Sequence, residues 1–234
     1  MVPLTVNSEG HRRIKNVSSL KDSDFHWIKS CNTDGIVVCW SKVEGSPVIA
    51  FKGEGIVEAP MDKVASAIID TSRGTEWVDS LKESRVVRGI SPNEFIEYER
   101  LGTPILMAGR DFVSRVVIDY EASDSRININ YTSAEDPLVP PVEKYVRGEI
   151  FCHFRLVPMT LPDETYVEGM IYCDPKGTVP MWFVNFFRQG WPHTTFQNLR
   201  KQLKKSDIQV LPMVAEVMHK PAVKLVQSPG PETP

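Results

Sequence analysis

Hydrophobic positions along this chain change period, and the change separates a sheet from the helix that covers it. In RDFVSRVVIDY (110–120), Phe112, Val116, Ile118 and Tyr120 share one side while Asp111, Arg115 and Asp119 share the other, the period-two pattern of a half-buried strand. In RININY (126–131), Ile127, Ile129 and Tyr131 oppose Arg126, Asn128 and Asn130. In VRGEIFCHFRLV (146–157), Val146, Ile150, Cys152, Phe154 and Leu156 oppose Arg147, Glu149, His153 and Arg155. Further strands are expected over 36–42, 48–57, 81–90, 95–101 and 165–173, most joined by turn residues as in an antiparallel meander. Such a sheet has one wet and one dry face. Two short helices are expected, one over 22–32 capped by Asp22 or Ser23, and one over 60–70 opened by Pro60. In the second, Met61, Val64, Ala65 and Ile68 face inward.

The dry face needs a cover, and the long apolar element available is 180–205. Pro180 suits the first helical position. From Met181 to Phe187 the only polar residue is Asn185, so this half is apolar all round. Farther on, Phe196, Leu199 and Leu203 mark one face and Arg200, Lys201, Lys204 and Lys205 the other. Gly190 and Pro192 predict a kink between the halves. No Asp or Glu stands between Asp174 and Asp207, so the element is cationic throughout. The fold class is therefore α+β, a strongly curved antiparallel sheet gripping a C-terminal helix. It divides the chain into an N-terminal segment (1–20), one domain (21–206) and a tail (207–234). The tail shows a weak helical pattern over 208–218, interrupted by Pro212, and a Pro-rich end expected to be disordered.

Composition narrows the function classes. Hydrophobic residues make up 41% and charged residues 24%, enough for a sizeable core. A net charge of −3 supplies no basic field for nucleic acid. No apolar run reaches the ~18 residues of a membrane span, and the first residues, MVPLTVNSEGHRRIKN, read as no signal peptide. Cys31, Cys39, Cys152 and Cys173 lie far apart with no C-x-x-C. Cys39, Cys152 and Cys173 fall in strand-like runs, where thiols act as small buried hydrophobes, consistent with a reducing, cytoplasmic setting.

The residues DGIVV (34–38), GS (45–46), FKGEG (51–55), Trp77, GRDFVSR (109–115) and DPKGTVPMWFVNFF (174–187) stand in an order that resembles the START (steroidogenic-acute-regulatory-related lipid transfer) domain family, of the helix-grip class. The resemblance spans about 180 residues. It implies a hydrophobic tunnel between sheet and C-terminal helix, holding one lipid such as a sterol, phospholipid or fatty acid for transfer or sensing without covalent chemistry or cofactor. The dry faces then assign the lining to Phe112, Val116, Ile118, Ile129, Ile150 and Phe154 from the sheet, with Val184, Phe187 and Trp191 from the helix and Met107 from a loop. The family's gate is formed by the helix and the loop before the RDFV strand. In this chain that loop carries Ile105, Leu106 and Met107 between glycines, and with Trp182 it would touch a membrane transiently.

One position departs from the family pattern. Many sterol-binding members carry a basic residue six positions after the Arg of RDFV, facing an acidic partner on the preceding strand. Here that position is Val116. The neighbouring Arg115 falls on the opposite face of the strand, and the acidic counterpart is Glu97 or Glu99. A monomer is expected. No metal is expected either, because His11, His26, His153, His193 and His219 are isolated, with no spacing for zinc. The alternative is an enzyme of a related tunnel fold, cyclase- or hydrolase-like. His193 beside the kink would be its general base, and a titratable pair in the cavity would be its mark.

Overall fold

The computed structural model describes residues 17, 20, 22–46, 48–102, 108–161, 163–177 and 191–219, with the side chain of Trp191 outside the description. Ten strands form one sheet: β1 (Ile28–Thr33), β2 (Ile36–Lys42), β3 (Ile49–Val57), β4 (Leu81–Ser91), β5 (Glu94–Leu101), β6 (Gly109–Glu121), β7 (Arg126–Ser133), β8 (Tyr145–Arg147), β9 (Glu149–Pro158) and β10 (Thr165–Asp174). Their spatial order is β1-β2-β3-β10-β9-β7-β6-β5-β4. All pairs are antiparallel except β8, which runs parallel to β6. The connection from β3 to β4 crosses from one side of the sheet to the other, and it carries helix α1 (Met61–Ile69). Helices α2 (Trp191–Leu203) and α3 (Pro212–His219) follow the last strand.

The inner face of the curved sheet packs with α1, α2 and α3 in one core. Ile36, Val57, Val116, Ile118, Ile127, Ile129, Leu156 and Val167 meet Val64 and Ile68 of α1, Phe196, Leu199 and Leu203 of α2, and Val214 and Val217 of α3. The face of α2 read from the sequence is the buried one. Its close seat on β3 explains the FKGEG motif: a Cβ on Gly53 would lie 3.1 Å from the Phe196 ring and 3.3 Å from Pro192 Cβ. Arg200 fixes the other side of α2, donating to Ile56 O at 2.7 Å and to Asp34 O at 2.8 Å.

Four expectations change. Residues 22–32 are not a helix: a 3-10 turn at Asp22–Asp24 precedes the edge strand β1. All six β1 residues are exposed, so backbone pairing with β2, rather than side-chain burial, sets this element. Second, the outer face is not uniformly wet. Val17 and Phe25 cover Phe151, Met170 and Tyr172 there, and Ile96, Tyr98, Val113 and Val139 form another outer cluster. Asp111 belongs to this face and is buried rather than in water; both its carboxylate oxygens accept from Arg147, at 3.0 and 2.9 Å. Third, the run 146–157 divides at Gly148, where a Cβ would collide with the Phe112 ring. Fourth, Pro212 opens α3 instead of breaking a helix. Leu211 N donates to Ser66 Oγ at 2.9 Å, and Val214 and Val217 are buried, so this part of the tail is docked on α1 and β6. Among the described residues no helix is long and apolar enough to cross a membrane.

Candidate functional site

Between the inner face of the sheet, the end of α1, the turn leading to β4 and the first turns of α2 lies a cavity of about 130 Å³. A smaller cavity of about 30 Å³ lies beside it and reaches Gly53, Phe196 and Leu199. Trp77, Cys152, Phe154, Ile171 and Thr195 line both. Alternation on the strands decides the rest of the larger wall. Inward residues of β5 and β6 bring Glu97, Glu99, Leu101, Arg110 and Phe112, while β7, β9 and β10 bring Tyr131, Ile150 and Cys173. Ile68 closes the α1 end, and Asp79 and Ser80 stand at the exposed side.

The wall is mainly apolar but carries a polar row. Glu97 is 4% exposed; its Oε1 accepts from Ser84 Oγ at 2.6 Å, and its Oε2 has no partner among the described residues. Burial, and next the neighbouring Glu99 carboxyl, push Glu97 well above the ordinary glutamate range. Burial raises Glu99 as well. Arg110 is committed to backbone oxygens, donating to Ala108 O, Pro175 O at 3.3 Å and Lys176 O, and burial lowers its pKa. Tyr131 donates its hydroxyl to Ile68 O at 3.3 Å. Burial also raises the Cys152 and Cys173 thiols, so both are neutral parts of the wall.

The expected lining residues separate into three groups. Phe112, Ile150 and Phe154 line the cavity. Val116, Ile118 and Ile129 face the same side but are fully buried in the core. They do not line the cavity, because α1 and α3 fill that part of the sheet's concavity. Met107, Val184 and Phe187 lie outside the described residues, as do Ile105, Leu106 and Trp182 of the expected gate, the Gly190 kink and the Trp191 side chain. Arg115 points outward and ion-pairs with Glu94 at 2.5 Å. The β5–β6 register runs without a break, so no bulge returns Arg115 to the interior. His193 does not line the cavity; it faces Asp34 on the β1–β2 turn, with Nε2 3.3 Å from Oδ2. The titratable pair in the cavity is instead Glu97 with Glu99. The family resemblance offers either of them as the acidic counterpart on this strand. Tyr131 was legible as a dry-face residue and Trp77 as part of the family resemblance, but Ser84 gave no signal, because its approach to Glu97 is made only in the fold.

A family model for the START domain matches residues 15–206. The chain belongs to the START domain family. StAR-related lipid transfer protein 5 of Mus musculus is 28% identical over 155 residues, 63% of this chain and 71% of that protein. The human StAR-related lipid transfer protein 5 structure superposes with a TM-score of 0.68 at 24% identity, over 76% of this chain and 86% of that one. Human STARD10 gives 0.69 at 19% identity, over 82% and 83%. These structures establish the helix-grip fold for this START domain, and the family is one of lipid binding and transfer. Among the described residues no group of His, Cys, Asp and Glu is arranged to hold a metal ion.

Proposed function

We propose that this START domain takes up one hydrophobic or amphipathic lipid in the cavity beneath α2 and carries or senses it without covalent chemistry. The observation that carries the reading is the mainly apolar cavity itself, with Phe112, Ile150, Phe154 and Ile171 in its wall. Apolar ligand groups gain about 0.8 kcal/mol per CH₂ on leaving water, and a bilayer offers the same, so transfer runs in both directions. The described volume of about 130 Å³ is close to that of cavities that hold a benzene ring. A whole lipid therefore needs its walls to yield, and the side bounded by α2 is the one we assign to that movement. Ile105, Leu106, Met107 and Trp182 are the proposed gate and membrane contact, with Met107, Val184, Phe187 and Trp191 completing the lipid's surroundings. The reading places the protein in the cytoplasm as a monomer, with its described cysteines unpaired.

Native mass spectrometry and organic extraction of the purified protein test this. One co-purifying or exchangeable lipid per chain is expected. No bound lipid, and no uptake of sterol, phospholipid or fatty acid from vesicles, would sink the proposal. The Glu97–Glu99 pair supports a second reading, acid–base chemistry on a hydrophobic substrate. Its mark is a product mass that appears with turnover and disappears in Glu97→Gln; recovery of unaltered ligand excludes it.

A further inference from the structure

The carboxyl pair raises a question of ligand class. Glu97 is paired across the strands with Ser114 and is 4% exposed, and its Oε2 has no hydrogen-bond partner among the described residues. Trp77 Nε1 and Thr195 Oγ1, on other walls of the same cavity, are also buried without partners among the described residues. Polar atoms left unsatisfied away from water are costly; Glu97 Oε2 and Thr195 Oγ1 can accept from a ligand donor, whereas the Trp77 indole N–H can only donate. The charges facing that space are mostly of one sign. Asp70 and Asp79 join Glu97 and Glu99 in the lining, and the single cation among the described lining residues is Arg110, whose guanidinium is occupied by three backbone carbonyls. The thiols of Cys152 and Cys173 and the Tyr131 hydroxyl add no charge at neutral pH.

We propose that Glu97 and Glu99 form the head-group site for the ammonium of an amphipathic amine, whose apolar body lies against Phe112, Ile150 and Phe154. An alcohol offers one donor, whereas an ammonium offers three and also cancels charge. A fatty acid would bring its carboxylate toward four acidic side chains. With no ligand present the pair retains protons, because burial raises both groups. An alkylammonium keeps its charge across the range in which the pair ionises, so its binding releases protons and strengthens as pH rises. A neutral ligand accepts or donates to the protonated pair and gains nothing from higher pH.

The inference rests on the lipid-binding reading, and one experiment separates their failures. The full chain, stripped of lipid, is titrated calorimetrically with n-octylamine, 1-octanol and octanoate between pH 5.5 and 8.5. Octylamine is expected to bind roughly tenfold or more tightly than the other two at pH 8, and to weaken toward pH 5.5. Glu97→Gln and Glu99→Gln should each lower octylamine affinity about 10- to 100-fold while leaving octanol within about threefold. The ranking of the three ligands on the unaltered protein decides the matter even if a variant fails to fold. Octanol or octanoate binding as tightly as octylamine, or an octylamine affinity flat with pH, overturns the amine site and leaves lipid binding standing. If none of the three binds and nothing is extracted from the protein, both readings fall.

Discussion

At the residue scale, two acidic side chains with the same burial meet opposite fates. Asp111 on the outer face keeps its charge matched by a two-pronged contact with Arg147, which also donates to Val139 O at 3.2 Å. Removing one partner of such a pair leaves an uncompensated buried charge. Arg147→Ala should cost about 3 kcal/mol or more in urea unfolding while ligand affinity of the folded protein is unchanged; a loss below 1 kcal/mol would contradict this account. Glu97 has no such match, and its folded pKa is raised. A raised carboxyl favours folding with its proton on. That contribution is complete below the ordinary value of 4.5 and is lost as pH climbs through the raised values of Glu97 and Glu99. The melting temperature of the ligand-free protein should therefore fall between pH 5 and 8, and the Glu97→Gln/Glu99→Gln double variant should flatten that slope. An unaltered slope in the double variant would place the titrating groups elsewhere.

At the element scale, the grip depends on how closely α2 approaches β3. Gly53 leaves just enough room for Phe196 and Pro192, and Leu199, 2% exposed, fills the core behind them. Gly53→Val adds side-chain atoms where the Phe196 ring already lies, an overpacking worth about 1–3 kcal/mol. It should lower stability and also speed ligand release, since the displaced element is the cavity's cover. Unchanged release kinetics in a variant that is destabilised would show that α2 does not act as the cover. The α3 helix has a different task. By burying Val214 and Val217 beside Val116 and Ile118, it closes one end of the sheet's concavity and confines the cavity to the other.

At the scale of the whole molecule, the cationic character of the C-terminal helix is partly spent inside the fold. Arg200 is held by backbone oxygens and Lys205 by Glu76 at 2.6 Å. Lys201 and Lys204 are exposed and form no ion pair among the described residues. Each exposed basic residue near an anionic bilayer contributes up to about 1 kcal/mol, enough for transient docking together with the proposed apolar gate. Vesicle co-sedimentation should rise with anionic lipid, fall with salt, and weaken in Leu106→Asp, Trp182→Ala and Lys201→Glu/Lys204→Glu. Equal transfer from neutral and anionic vesicles, insensitive to all of these, would eliminate the docking role.

Much of this architecture is already determined by the sequence. Alternation placed β2, β3, β5, β6, β7 and β10 within a residue or two, because burial of one face imposes a strict period of two. The three- and four-residue spacing of Phe196, Leu199 and Leu203 marked the gripping face of α2 for a similar reason. The same parity put Arg115 outside. Only the tertiary structure decided matters that depend on remote parts of the chain. It made β1 a strand, since an exposed segment takes whatever backbone partner the sheet edge offers. It buried Asp111 by bringing Arg147 to it from 36 residues away. It also removed Val116, Ile118 and Ile129 from the cavity wall. Their inward direction is a local property of the strand, but whether an inward residue meets a ligand or a helix depends on where α1 and α3 pack.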